Sequence, residues 1–344
     1  AKGQQIHYLP PYRPEHKLKL MDWLGIAPSA QEGSVPFIRA IVKQRNVKTA
    51  EEIAEIEKAC DVTADMHIAA IKCLRPGMHE YDVAAEIEHV AALHNCELSF
   101  PTIATINGQT LHNHYHGNLV KPGDLFLIDA GAELESGYCG DMSSTFPADK
   151  KFTQKQKDVY VIQNAMHLES VKALRPGIPY MEVYDLSAKV MVEGLKDLGL
   201  MKGNADDAVR EGAHALFYPH GLGHMMGMDV HDMESLGQIY VGFDEETHPS
   251  TQFGTSSLRM GRRLEEGFVV TDEPGIYFIP ALIDLWKRNK TNAQFLNFDA
   301  IDKYRDFGGI RIEDDLLITA DGCRFLGKQR IPYHPKDIEA FMAQ

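Results

Sequence analysis

The stretch "TAEEIAEIEKACDVTADMHIAAIKCLRPGM", residues 49–78, opens on a threonine with a glutamate three positions on, repeats apolar residues at helical spacing and stops at Pro-Gly. Thr49 and Glu52 match the pattern in which two side chains satisfy the first free backbone N–H groups of a helix. A long helix ending at "LRPG" is therefore predicted. A second amphipathic segment, "EYDVAAEIEHVAALH" at 80–94, and a β-patterned stretch, "SFPTIATING" at 99–108, follow it. The same order then returns, with "TQKQKDVYVIQNAMHLESVKAL" at 153–174, "LRPGI" at 174–178 and another amphipathic helix. Arg-Pro-Gly alone is only a good helix stop. With matching flanks it marks a duplicated ααβ unit. The fold class expected is α+β, with two pseudo-symmetric halves and a ligand cleft between them.

At 344 residues the chain is long for one compact domain. Residues 1–35, rich in proline and aromatics with one short helical pattern at "HKLKLMDWLG", read as the tail of an amino-terminal domain plus linker, and 36–344 as the main domain. The net charge of −14 argues against nucleic acid or an anionic membrane as partner, because phosphate contacts need clustered Lys and Arg. Five scattered cysteines without C-x-x-C spacing suit reduced thiols in the cytoplasm. There is no long apolar run and no leader pattern. The chain begins at Ala1, which suggests that sequence upstream has been removed.

Four acids stand in or beside β-patterned apolar segments, where an unpaired charge is costly. In "DLFLIDAGAELESGYCGDMSSTFP", residues 124–147, a hairpin centred on Glu135 would set Asp129 and Asp141 opposite one another. Glu273 follows an apolar run in "LEEGFVVTDEPGIYFIP", and Glu313 precedes one in "GGIRIEDDLLITADGC". Two carboxylates that close need a cation or a shared proton between them. Alone, the Asp pair reads equally well as two hairpin acids facing water.

The stretch "PHGLGHMMGMDVHD", residues 219–232, adds His220, His224 and His231. It resembles the H-E-x-x-H signature of zinc proteases, with Gly221 in place of the glutamate, but three glycines in eight residues make a poor helix. One histidine as ligand and the others toward substrate is the better reading. Four carboxylates around one imidazole suit two divalent cations, Mn²⁺ first, with Fe²⁺, Co²⁺ or Zn²⁺ also compatible. Two ions sharing carboxylates can hold a bridging water, lower its pKa and polarise an amide carbonyl.

At these residues the chain resembles the di-metal pita-bread peptidases: methionine aminopeptidase, aminopeptidase P and prolidase. The likeness runs from "RNVKTAEEIAEI" to the C-terminus and includes five ordered ligand motifs. It implies a curved antiparallel sheet enclosed by the two ααβ halves. It implies metal ligation by Asp129, Asp141, His224, Glu273 and Glu313, with Glu273 also the proton acceptor for the bridging hydroxide's parent water. His220 and His231 would line the substrate site, His231 steadying the oxyanion. In "LHNHYHG", His112 aligns with the family's L-H, while His114 has the family's following tyrosine; His112 is taken as catalytic and His114 as substrate-facing. Arg311 matches an arginine that supports the metal-site acids and is grouped with the substrate-facing residues. The spacing from Asp129 to Asp141 is twelve, one more than is usual in the family.

The proline-specific branch fits best. "SLRMGRRLEEGFVVTDEPGIYF" looks like prolidase, whose arginine fourteen residues before the metal glutamate holds the substrate's carboxylate; Arg259 has that spacing from Glu273. The alternative places Arg259 in a solvated basic cluster with Arg262 and Arg263. The resemblance thus implies a metal-dependent Xaa-Pro exopeptidase acting on proline-containing di- or oligopeptides, prolidase-like, with aminopeptidase P as the alternative and a non-catalytic peptide-binding module as the remote one. It also implies a homo-oligomer for the intact protein.

Overall fold

A computed structural model describes residues 3–344. Its longer helices are α1 (Pro14–Leu24), α2 (Val35–Asn46), α3 (Ala50–Cys73), α4 (Glu80–Leu93), α5 (Gln154–Ala173) and α6 (Tyr180–Asp197). Shorter ones, α7 (Ala205–Arg210), α8 (Gln238–Val241), α9 (Pro280–Asn289), α10 (Phe298–Ile301) and α11 (Pro335–Met342), occupy later connections. The strands are β1 (Glu97–Leu98), β2 (Ile103–Thr105), β3 (Leu125–Ala130), β4 (Ala132–Glu133), β5 (Met142–Pro147), β6 (Val269–Asp272), β7 (Gly275–Tyr277), β8 (Gly309–Arg311), β9 (Asp314–Ile318) and β10 (Cys323–Phe325).

The duplication is visible in backbone hydrogen bonds as well as in letters. α3 and α5 both start on the reciprocal cap: Thr49 accepts from the Glu52 N–H while Glu52 accepts from the Thr49 N–H, and Thr153 and Gln156 do the same. After each Arg-Pro-Gly stop, the chain clips onto the turn that leads to its own sheet. The Gly77 N–H donates to the Val120 carbonyl and the Val120 N–H to that of Met78; Gly177, Leu264 and Ile178 repeat both bonds. Gly77 and Gly177 hold φ of 92° and 85°, the left-handed region where a Cβ is penalised.

In each half a helix pair packs on a three-stranded antiparallel sheet, ordered β2-β3-β5 in the first and β10-β9-β6 in the second. α3 buries Ile56, Met66 and Ile71, and α5 buries Val159, Tyr160 and Met166. Each such apolar side chain contributes roughly 1.5–3 kcal/mol. α1 buries no residue, whereas α2 places Ile38 and Val42 in the core. The halves are stitched by an antiparallel bridge between Ser143 and Glu313 and by Thr145, whose hydroxyl bonds both the backbone N–H and the carbonyl of Arg311.

The hairpin register differs from the expected one. Asp129 pairs with Ser143, not Asp141, because the loop is Glu135-Ser136-Gly137, centred on Ser136. The Gly137 N–H returns to the Leu134 carbonyl at 2.7 Å, and Gly137 holds φ of 84°. This is a three-residue loop with a left-handed glycine at its end. Asp141 shares the face of Ser143 two positions away, so the two aspartates are diagonal neighbours on one face. Gly131, which directly follows β3, lies so close to the Gly140 carbonyl that no Cβ would fit.

Candidate metal centre and substrate cavity

Four of the five predicted ligands stand at the ends of central strands: Asp129 near the end of β3, Asp141 just before β5, Glu273 just after β6 and Glu313 between β8 and β9. The fifth, His224, comes from the glycine-rich segment, which is not helical. Gly223 is pressed against Thr271 and the Tyr180 hydroxyl, too close for a side chain. The His224 N–H donates to Thr271 Oγ1 at 3.2 Å and the Thr271 N–H to the His224 carbonyl at 3.0 Å. The segment is thereby hung on β6, beside Glu273.

Ligand atoms of Asp141, His224 and Glu313 all lie within 4.8 Å of one another, and all three residues are buried. His224 Nδ1 lies 3.0 Å from the Met225 carbonyl, which can only accept, so Nδ1 carries the hydrogen. Nε2 is left with its lone pair, 3.4 Å from Asp141 and 3.8 Å from Glu273. Asp129 lines the same cavity with one oxygen held by Arg311 Nη2. The second oxygen of Asp129 and one of Asp141 are buried without a hydrogen-bond partner among the described residues.

The charges are out of balance. Burial first, and then the neighbouring Asp129, push the Asp141 carboxyl well above its ordinary range. Burial followed by Asp141, Glu273 and Asp129 does the same to Glu313. Glu273 is pushed up to about 7 by burial, with His224 and Arg311 opposing. Arg311 is the buried cation among these acids, and its donors are distributed: Nη2 to Asp129, Nε to Ser143 Oγ at 2.8 Å and Nη1 to the Tyr277 hydroxyl at 3.0 Å. Ser143 in turn donates to Glu313 at 2.7 Å. One guanidinium does not neutralise four carboxylates. Orphaned carboxylate oxygens, crowded acids and a lone-pair imidazole turned inward fit a site for divalent cations.

Above the acids opens a cavity of about 390 Å³, bordered on one side by Phe100, Pro101, Ile103 and Leu111. All the predicted substrate-facing residues line it: His112, His114, His220, His231, Arg259 and Arg311. His220 has both ring nitrogens engaged, Nδ1 with the Gly221 carbonyl at 2.8 Å and Nε2 with Tyr277 Oη at 2.9 Å. Burial and then the Arg311 guanidinium hold it neutral, down to about 3. His112 and His114 ride on the loop from 106 to 118, which buried Glu80 pins at both ends. Glu80 accepts from Thr105 Oγ1 and the Ile106 N–H at one end and from the Asn118 N–H and side-chain amide at the other. His112 itself takes a left-handed φ of 52°.

Arg259 does not share a solvated cluster with Arg262 and Arg263. Arg262 turns to Glu265 and lies over Phe268, and Arg263 pairs with Glu246. Arg259 borders the cavity, its Nε 3.3 Å from Glu234.

Several contributing residues lack a pattern in the sequence. Tyr277 and Ser143 were hidden because their partners are more than thirty residues away. Asp315 supports Asp141 from behind, accepting its backbone N–H at 2.9 Å. Asp232, beside His231, is buried against Lys48 at 3.0 Å and Arg45 at 2.5 Å. His167 lies fully buried between Asp272 and Asp314, the residues flanking Glu273 and Glu313. The doubled acid in "IEDD" was the available signal for Asp314 and Asp315.

An open cavity floored by carboxylates and one free imidazole nitrogen defines a metal-holding class of site. The profile of metallopeptidase family M24 matches residues 54–320, and the chain belongs to that family. It is 36% identical over 305 residues to the Xaa-Pro aminopeptidase of Escherichia coli strain K12, covering 87% of this chain and 60% of that protein. It is 32% identical over 313 residues to the Xaa-Pro dipeptidase of Homo sapiens, covering 88% of this chain and 61% of that protein. Among solved structures, proline aminopeptidase P II from Yersinia pestis matches with a TM-score of 0.72 at 37% identity, covering 88% of this chain and 62% of that one. Aminopeptidase P from E. coli with the inhibitor Pro-Leu matches with a TM-score of 0.73 at 35% identity, over 89% and 62%. The fold is the pita-bread fold. The chain spans about 60% of the length of these curated relatives. Among the described residues, no helix is long and apolar enough to cross a membrane.

Proposed function

We propose that this chain is the catalytic part of a metal-dependent exopeptidase that hydrolyses the bond between an amino-terminal residue and proline. The observation that carries this reading is the unbalanced acid cluster at the floor of a peptide-sized cavity, in a chain whose relatives are named for that bond. Asp129, Asp141, His224, Glu273 and Glu313 would hold two divalent cations, Mn²⁺ by preference for an oxygen-rich set. When bound, such ions supply Lewis acidity toward the amide carbonyl and make a water nucleophilic at neutral pH.

The chain's own residues do the rest. Glu273, pushed up to about 7 by burial, is suited to take a proton from the attacking water and return it to the departing proline nitrogen. His231, whose Nδ1–H is held by Glu234, turns Nε2 toward the reacting carbonyl and offsets the negative charge that oxygen gains when Nε2 carries a proton. His220, locked neutral between Gly221 and Tyr277, shapes the wall without adding charge. His112 and His114 also line the cavity.

Within this activity we favour dipeptides, because Arg259 stands at the cavity wall with its Nη1 and Nη2 donors free of hydrogen bonds among the described residues. A two-pronged guanidinium contact selects a terminal carboxylate within reach and gives nothing to a longer chain. An aminopeptidase P reading is supported by the similar identity to proteins of that name. Cleavage of Ala-Pro and Ala-Pro-Pro by the wild type and by Arg259→Ala separates the two. A dipeptidase loses Ala-Pro cleavage selectively, through a KM raised roughly 10- to 100-fold for one charge-assisted contact. Equal loss on both substrates would count against it.

A further inference from the structure

We infer that Glu234, which does not itself line the cavity, is a positioning and specificity-determining residue that fixes both His231 and Arg259. The inference deepens the proposed activity, and its kinetic part rests on that reading. Glu234 follows Met233, a non-glycine residue with φ of 60°, whose left-handed turn folds the chain back on itself. The carboxylate then reaches two cavity residues at once. Its Oε2 lies 2.9 Å from His231 Nδ1 and its Oε1 lies 3.3 Å from Arg259 Nε.

Each contact has a directional consequence. A carboxylate can only accept, so His231 carries its hydrogen on Nδ1 and Nε2 is the nitrogen left for the cavity. Arg259 gives Glu234 its Nε–H, and its two-pronged Nη1/Nη2 end is left for a ligand carboxylate. Glu234 therefore orders a long, half-exposed side chain before substrate arrives, which removes part of the entropic cost of binding. It also links the end of the cavity where the carbonyl reacts to the end where a terminal carboxylate would sit.

The competing effect is that a fixed anion beside Arg259 weakens its pull on a second anion. Glu234 engages the Nε edge and is nearly half exposed, with 44% of its side chain accessible, so solvent screens that repulsion. Ordering, which depends on contact, outweighs it.

The test compares Glu234→Ala and Glu234→Gln with the wild type, each loaded with Mn²⁺, on Ala-Pro and Ala-Pro-Pro. Thermal melting shows that each variant is folded, and the isosteric Gln variant serves if Ala is not. The expected result is a KM for Ala-Pro raised roughly tenfold, as for one charge-assisted hydrogen bond, an unchanged KM for Ala-Pro-Pro, and a kcat lowered several-fold on both. In an Arg259→Ala background the Glu234 substitution no longer changes the Ala-Pro KM. In ¹⁵N NMR of metal-free protein, the His231 ring has its proton on Nδ1 in the wild type and loses that preference in the variants. A lowered Ala-Pro KM would mean that Glu234 competes rather than positions, and would overturn the inference. So would equal changes in both KM values, an effect that persists without Arg259, or an unchanged tautomer. A wild type that cleaves neither peptide fails the proposed activity instead, and the His231 tautomer then decides the inference alone.

Discussion

His67 and His167 occupy matching places in the long first helix of each half, a hundred residues apart, and have opposite protonation behaviour. His67 sits between Ser144 Oγ at 2.8 Å and the Ala130 carbonyl at 3.2 Å, and burial pushes it down to about 4. His167 sits between Asp272 at 2.7 Å and Asp314 at 2.9 Å. Burial pulls it down too, but hydrogen bonds to the two carboxylates prevail and carry it up to about 9. The second half thus has a charged clamp between β6 and β9, beside Glu273 and Glu313, where the first half has a neutral one.

The clamp gives stability a pH dependence of known sign. His167 titrates near 9 when folded and near 6.5 when unfolded, so its contribution is complete below about pH 6.5 and is lost as pH rises through about 9. His167→Ala leaves two buried carboxylates without their shared partner and is expected to cost about 3–5 kcal/mol. Urea denaturation at pH 6 and pH 9.5 should show the wild type weakening between them and the variant losing that part of the difference.

Crowded acids make the metal-free protein less stable than it could be. Because Asp141 and Glu313 are raised above their unfolded values, they favour folding at low pH and oppose it as pH rises past the ordinary carboxylate range. Glu313→Gln should therefore raise the melting temperature of metal-free protein at pH 7, by an amount corresponding to about 1 kcal/mol. The same substitution should remove the stabilisation that Mn²⁺ gives the wild type, which would be about 2.7 kcal/mol at a hundredfold excess over Kd. Calorimetry with and without Mn²⁺ reads both effects.

Glu273 is expected to be needed for proton transfer as well as for metal binding. Glu273→Gln keeps the side-chain shape and removes the basic oxygen, so kcat should fall by about 10²–10⁴. Metal content measured on the same sample separates the two roles: a chemical role leaves metal bound while turnover is lost.

The two caps are legible in sequence and testable as a pair. Thr49→Ala and Thr153→Ala should each cost about 1 kcal/mol and add without coupling, since they start helices in separate halves. Chemical denaturation of the single and double variants measures this.

Local signals were readable because they are made by neighbours in the chain. Both capping boxes, both Arg-Pro-Gly stops and the non-helical glycine segment follow from residues within a few positions of each other. The four acids proposed to hold metal were legible as charged groups in or beside apolar segments, whereas His224 was set apart from His220 and His231 only by the family resemblance. The register of the first hairpin was misread because the loop centre was set on Glu135, although Gly137 marks the left-handed position that puts it on Ser136. Ser143, Tyr277, Asp315 and Glu234 act only through partners brought together by the fold. Glu234 illustrates this: three residues from His231 in sequence, it matters because Met233 turns the chain and Arg259 arrives from twenty-five residues away.

The decisive measurement is release of proline from Ala-Pro by protein stripped of metal with a chelator and then given Mn²⁺. No cleavage after stripping and restored cleavage at the Xaa-Pro bond with Mn²⁺ is the expected result. Cleavage that survives complete metal removal, or none with Mn²⁺, Co²⁺, Fe²⁺ or Zn²⁺ on either Ala-Pro or Ala-Pro-Pro, would contradict it.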